Sequence, residues 1–149
     1  MREAGCSNFD LLLKMFGRER LLEPKSEYCV YDGIIKDEPI YIIAEVKRRE
    51  FTNEKLLGAF RGTFFLEKKK FDSLHSERNK LSEKHKQIDF KIHYICETSD
   101  GITYTFDLTD SKYDWTEQYM KRATYVSNRR VTKLVAHLHI SKSIKIEKL

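Results

Sequence analysis

The segment that most constrains the fold is Tyr41-Ile42-Ile43-Ala44-Glu45-Val46-Lys47, an apolar run that ends with two charged residues. Uninterrupted Ile, Tyr and Val residues are typical of a β-strand that is buried on both faces. Side chains alternate between the faces of a strand, so Glu45 and Lys47 point to the same side. Burying a carboxylate costs free energy unless it is paired or binds a metal ion. The segment therefore predicts a buried strand that carries a polar site near its end.

A second apolar run, Tyr28–Ile35, supplies a partner for Glu45. Its only charged residue is Asp32, and a polar segment with a proline, typical of a turn, separates it from the next strand. If the last residue of this run pairs with Ile40, Asp32 lies opposite Ile43. Glu45 is then diagonally across on the same face, at roughly 7–8 Å along the backbone. Two acids and a lysine in this arrangement predict a divalent-metal site, although a register slip of one residue would separate the acids.

The spacing of these residues resembles a known nuclease signature. Asp32, a spacer of a dozen residues and then Glu45-Val46-Lys47 is similar to the PD-(D/E)XK motif of the restriction-endonuclease-like superfamily. The chain departs from the motif in one respect, because Tyr31 and not a proline precedes Asp32. The resemblance implies that Asp32 and Glu45 bind Mg²⁺ or Mn²⁺ and that the Val46 carbonyl completes the shell. It also implies that Lys47 assists the water molecule that attacks the phosphodiester bond.

The same resemblance implies an activity and a substrate. The expected reaction is metal-dependent hydrolysis of phosphodiester bonds in nucleic acid, with DNA favoured over RNA. Many small single-domain members of the superfamily dimerise, so a homodimer is among the expected assemblies. The chain shows no separate domain for reading sequence, which favours selectivity for structure: ends, junctions or flaps.

The order of the predicted elements agrees with that fold. Ser7 and Asn8 can cap a helix whose apolar residues recur at helical spacing, and a glycine can end it. The predicted class is α/β, with a central mixed sheet flanked by helices, an αβββαβ core over about 8–97 and a C-terminal extension over about 98–149, in one domain. The core elements are a helix over 8–16, strands over 18–23, 28–35 and 40–47, a helical segment over 54–86 that is either one rod or broken near 52–63, and a strand over 89–97.

The extension is predicted to begin with a hairpin. A strand over 102–108 returns along strand 89–97, a weak capping box predicts a helix over 114–122, and 134–140 reads as a final strand. On the predicted helix Trp115 and Tyr119 lie one turn apart, where they could belong to the core or stack on bases. The tail over 141–149 is either frayed or an edge strand.

Several charged residues are candidates for supporting roles. Lys69, Lys70, Arg129 and Arg130 are candidate contacts to nucleic-acid phosphates, against the alternative of a plain solvated surface. A further acid for the metal site could come from Asp10, Glu19 or Glu23, each of which could equally be a surface charge. His137 and His139 share a strand face, but no third ligand lies near them in the sequence.

Composition sets the remaining limits. The 149 residues suit one domain, and the formal charge of +5 with a pI near 9.0 is compatible with a polyanionic partner. No apolar run approaches the roughly 18–20 residues of a membrane span. The three cysteines form no Cys-x-x-Cys pair, and charged residues interrupt any leader, so an intracellular, reducing location is expected.

Two alternatives remain open at this stage. The chain could be a non-catalytic nucleic-acid-binding module that keeps the nuclease fold, because basic and aromatic residues serve binding equally well. It could also be an interaction protein in which the acid and the lysine form a structural ion pair. Breaking such a buried pair would cost roughly 3–5 kcal/mol and unfold the protein.

Overall fold

A six-stranded mixed sheet forms the centre of the molecule in the computed structural model, which describes residues 7–26, 28–121 and 130–149. The helices are α1 (Asn8–Phe16), α2 (Asn53–Leu57) and α3 (Lys68–Lys84). The strands are β1 (Leu21–Leu22), β2 (Gly33–Asp37), β3 (Ile40–Arg48), β4 (Thr63–Glu67), β5 (Asp89–Glu97), β6 (Ile102–Asp107), β7 (Thr116–Lys121), β8 (Arg130–His139) and β9 (Lys145–Lys148). Short 3₁₀ turns cover Arg18–Arg20 and Ile140–Lys142.

The central sheet has the strand order β1-β2-β3-β5-β6-β9, and a second sheet has the order β4-β8-β7. Strands β3 and β5 pair in parallel, and all other pairs are antiparallel. Leucines of α1 pack with Ile42, Ala44 and Val46 on one face of the central sheet. On the other face Ile43 packs in a cluster with Leu74 of α3 and with residues of the second sheet. The site strand β3 is therefore covered on both sides.

The predicted α/β class and the αβββαβ order are confirmed. Helix α1 has the predicted bounds, because Ser7 and Asp10 form a reciprocal capping box and Gly17, with φ 84°, ends the helix. Three strands follow, then the long helix α3 and the parallel strand β5. A short helix and a strand, α2 and β4, are inserted between β3 and α3. The tail is an edge strand, β9.

The predicted register of the β2–β3 hairpin is wrong by two residues. Ile34 and not Asp32 lies opposite Ile43, because Asp37 still belongs to β2 and pairs with Ile40. Asp37, at the polar end of β2, is exposed and forms an ion pair with Arg20 at 3.3 Å. Polar residues at this end of the segment therefore belong to the strand and do not show where the turn begins. An even shift leaves every side chain on its predicted face. Strand β2 also starts later than predicted, at Gly33, and 18–23 contains only the two-residue strand β1.

The segment 54–86 is not one helix, since it contains α2, β4 and α3. Phe64 lies on β4, whereas Phe71, Leu74 and Leu81 lie on α3. Strand β4 buries Phe64 and Leu66 and pairs with β8, about 70 residues further along the chain. A partner that distant leaves no local signal in the sequence.

The predicted helix over 114–122 is also wrong. Residues Thr116–Lys121 form strand β7, which pairs with β8, so tertiary pairing overrides the local capping signal. Trp115 packs against Phe71 and Tyr113, whereas Tyr119 is exposed. Among the described residues, no helix combines the length and apolar character that crossing a membrane requires.

Candidate active site

Asp32 lies directly before β2 and next to Glu45. Its backbone N–H donates to the Ala44 carbonyl at 2.9 Å, and Gly33 pairs with Ala44, so continuing the ladder by one residue brings Asp32 opposite Glu45. The Asp32 carboxylate oxygen Oδ2 accepts from the backbone N–H of Val46 at 2.8 Å. The shift in register therefore brings the two acids closer than the predicted diagonal arrangement.

Glu45 is a buried acid, with 8% of its surface exposed. Its Oε2 lies 2.9 Å from Lys70 Nζ, and the Asp32 carboxylate is close enough to act on its charge. Burial first, and then the neighbouring charge of Asp32, raise the pKa of Glu45 to about 8, against the opposing effect of Lys70. Around pH 7 and without a bound cation, the Asp32–Glu45 pair therefore retains a proton that an exposed glutamate would lose.

The two lysines of the site have different environments. Lys47 lies two residues beyond Glu45 on the same face of β3, and its side chain is exposed. Lys70, in the first turn of α3, pairs with Glu45 and also donates to the Val30 carbonyl at 3.3 Å. The sequence had suggested Lys70 only as a phosphate contact, because no local signal shows that α3 starts above Glu45.

Asn8 is a site residue that sequence reasoning missed. Its amide nitrogen Nδ2 lies 3.1 Å from the Val46 carbonyl oxygen and 3.3 Å from Asp32 Oδ2. One amide group of α1 thus holds both the carbonyl and the carboxylate that the motif implies as ligands. In the sequence Asn8 was recognised only as a helix cap, and the cap is in fact Ser7.

The donor set fits a hard divalent cation. Carboxylate and carbonyl oxygens are the ligands that Mg²⁺ and Mn²⁺ prefer, and Asp32, Glu45 and the Val46 carbonyl supply them. A cation would also offset the burial and the repulsion from Asp32 that raise the pKa of Glu45. In the part of the chain that the structure describes, no third acid, histidine or cysteine joins the pair to form a metal-binding group.

The additional candidate metal ligands do not join the Asp32–Glu45 pair. Of the further acids, Asp10 caps α1, Glu23 faces Arg18 at 3.9 Å and Glu19 is exposed. His137 packs against Phe65, and His139 Nδ1 lies 2.8 Å from Ser141 Oγ.

The remaining candidate phosphate contacts stay predictions. Lys69 is exposed in the first turn of α3, one residue from Lys70. Arg130 is the first residue of β8, and Arg129 lies outside the described residues.

No model of a known protein family matches the chain, and no curated protein sequence matches it. Among solved structures the chain is similar to the 1.6 Å structure of Hjc, a Holliday junction resolvase from the archaeal hyperthermophile Archaeoglobus fulgidus. The sequences are 11% identical, and the match covers 93% of this chain and 85% of that chain with a TM-score of 0.48.

Proposed function

We propose that this protein is a nuclease that hydrolyses phosphodiester bonds of nucleic acid, DNA in the first place, with the help of Mg²⁺ or Mn²⁺. The observation that carries the proposal is the juxtaposition of Asp32 and Glu45 on neighbouring parts of the β2–β3 hairpin, with Lys70 paired to Glu45. Such a pair is costly to fold, because the two acids repel each other and one of them is buried. Clustered carboxylates of this kind are common where a protein binds a metal or performs catalysis.

Asp32, Glu45 and the Val46 carbonyl are the residues that would hold the cation. When bound, the cation supplies Lewis-acid chemistry: it lowers the pKa of a coordinated water and neutralises charge on the phosphate. Asn8 keeps two of these ligand groups in a fixed orientation through its amide. Hydrogen bonds that hold ligand groups in this way normally affect metal affinity, so we assign Asn8 a positioning role.

The lysines act on the substrate side of the site. Lys47 carries an exposed ammonium group on the face of β3 that bears Glu45, where it can orient the attacking water or stabilise charge on the scissile phosphate. Lys70 favours the ionised form of Glu45 and so prepares that carboxylate for ligation. Lys69, Arg129 and Arg130 would contact phosphates of the nucleic-acid backbone, which gives affinity and not sequence specificity.

The proposal is tested by cleavage of a panel of DNA and RNA substrates in Mg²⁺ and in Mn²⁺. We expect the wild type to cleave at least one substrate and Glu45→Gln to be inactive while remaining folded by circular dichroism. Lys86→Ala, which removes an exposed lysine of the loop after α3, is the control and should cleave like the wild type. Cleavage that is independent of metal, or equal in Glu45→Gln, would contradict the assignment.

A second candidate is a binding module without turnover. The Lys70–Glu45 ion pair favours it, because an internal ammonium can itself neutralise Glu45. This candidate predicts nucleic-acid binding that is unaffected by metal and by loss of Lys47, with no cleavage of any substrate. The homodimer implied by the resemblance also stays a prediction, which analytical ultracentrifugation would test.

A further inference from the structure

A pocket of about 450 Å³ lies beyond the end of β3, separate from the Asp32–Glu45 pair. Its size is within the range of roughly 300–1,000 Å³ that is typical of ligand sites. The lining combines aromatic rings with cationic groups, and we call it the Phe60 pocket. Its main residues are Arg49, Phe51, Phe60, Arg61, Phe65 and His137.

The aromatic side of the pocket includes an accessible ring. Phe60 is 40% exposed, and its ring centre lies 4.7 Å from that of Phe51. Phe51 in turn stacks near Phe64 of the core at 6.1 Å, so the exposed ring rests on a fixed aromatic support. Across the pocket, Phe65 and His137 form a cross-strand pair with ring centres 5.0 Å apart.

The cationic side is held in place by the backbone. Arg49 Nη2 donates to the Phe65 carbonyl at 3.0 Å, which fixes its guanidinium at the pocket wall. Arg61 has φ 51°, and it is the only residue other than glycine with a positive φ among those described. A long side chain in this conformation carries a backbone cost, and such costs concentrate at functional sites. The single acid of the lining, Glu67, is paired with Lys133 at 3.2 Å.

We infer that the Phe60 pocket binds an unpaired nucleobase together with its adjoining phosphate. An exposed aromatic ring offers a surface on which any base can stack. The guanidinium groups of Arg49 and Arg61 match phosphate oxygens in geometry and charge. Apolar surface for a base and guanidinium groups for a phosphate thus occur side by side, which is the chemistry of a nucleotide and not of a fully paired duplex.

The pocket is close enough to the candidate active site to contact the same nucleic-acid strand. Arg49 follows Glu45 by four residues, which span at most about 14 Å of extended chain. That distance corresponds to about four nucleotides at the ~3.4 Å rise of one strand. Glu67, which also lines the pocket, immediately precedes the helix turn that carries Lys70. The inference rests on the proposed function for its substrate: a nucleic acid with unpaired nucleotides near the bond that is cut.

The test compares binding to two DNA duplexes of equal length, one fully paired and one with a short unpaired segment of adenines, measured by fluorescence anisotropy in EDTA. We expect the wild type to prefer the duplex with the unpaired segment. Phe60→Ala should weaken binding of that duplex by about five- to 150-fold, the range for loss of one base–aromatic stack. The ratio of the affinities for the two duplexes should then be close to one. Phe60→Tyr, which keeps an aromatic face, should retain the preference.

Arg61→Gly tests the phosphate contact without risk to the fold, because glycine accepts a positive φ. The salt dependence of binding, as the slope of log K against log salt, should become shallower by about one. Arg18→Gly removes the same charge from the turn after α1 and should leave the slope unchanged. An unchanged preference in Phe60→Ala overturns the inference, as does an Arg61→Gly slope equal to that of the wild type.

The outcomes also separate this inference from the proposed function. A Phe60-dependent preference in a protein that cleaves nothing in Mg²⁺ or Mn²⁺ supports the base pocket and refutes the nuclease. Metal-dependent cleavage with the same rate on paired and unpaired substrates, unaltered by Phe60→Ala, supports the nuclease and refutes the base pocket.

Discussion

Replacing Glu45 by glutamine should stabilise the metal-free protein, and increasingly so as the pH rises. Glutamine has nearly the shape of a protonated glutamate but cannot ionise, so it keeps the fold and removes the repulsion from Asp32. The pKa of Glu45 is raised from its ordinary 4.5 to about 8, mainly by burial and then by Asp32. The folded state therefore binds a proton that the unfolded state releases between these two values, and stability is lost as the pH rises through that window.

The size of the effect follows from the same values. Each pKa unit corresponds to about 1.4 kcal/mol, so ionised Glu45 costs the fold about 5 kcal/mol above pH 8 and about 3 kcal/mol near pH 7. Below about pH 4.5 the wild type and Glu45→Gln should be equally stable, because Glu45 is then protonated in both the folded and the unfolded state. Between these limits the difference in free energy of unfolding should grow by about 1.4 kcal/mol per pH unit.

Urea denaturation in EDTA, followed by circular dichroism at several pH values from 4 to 9, measures this difference. Glu83→Gln is the matched control, since it makes the same chemical change at a side chain that is 82% exposed. Its stability should stay within about 0.5 kcal/mol of the wild type throughout. A difference between wild type and Glu45→Gln that does not change with pH would refute the reasoning, because Glu45 would then ionise alike in both states.

Three further predictions test the surroundings of the pair. Lys70→Ala should destabilise the protein by at most about 3–5 kcal/mol near pH 9, where the wild type has an ionised Glu45 paired with Lys70 and the variant must keep Glu45 charged without its cation or protonate it. The loss should be clearly smaller near pH 6, and urea denaturation at both pH values measures this. Asn8→Ala should lower Mn²⁺ affinity about 10- to 100-fold by freeing two ligand groups, as calorimetry would show; an affinity equal to that of the wild type would remove Asn8 from the site. Gly62→Ala should destabilise more than Gly17→Ala in thermal unfolding, because both have a positive φ but only at Gly62 would the new Cβ lie 3.2 Å from His139 Nε2.

The sequence predicted the elements whose signals are local. Ser7 with Asp10 defines the start of α1, and the apolar run before Glu45 identifies β3. The motif of Asp32 and Glu45 brought the acids to one face of adjacent strands even though the register was wrong by two residues, because an even shift preserves faces. Local pattern was therefore sufficient to bring these two acids together.

The contacts that join distant parts of the chain could not be predicted. Lys70 reaches Glu45 only because α3 starts above β3, and Asn8 reaches Val46 only because α1 packs across the other face. Strands β4 and β7 both depend on pairing with β8, so their own sequences read as helix or loop. These features depend on tertiary packing, which has no period or spacing in a single sequence.

The most direct test of the account is calorimetric titration of Mn²⁺ into the wild type and into Glu45→Gln near pH 7, repeated in buffers with different ionisation enthalpies. The account predicts that the wild type binds Mn²⁺ and releases close to one proton, because a ligand must be deprotonated to bind and Glu45 holds its proton up to a pKa of about 8. Glu45→Gln should bind far more weakly and release none. Equal binding by both proteins, or no binding by the wild type, would contradict the claim that Asp32 and Glu45 form a metal centre.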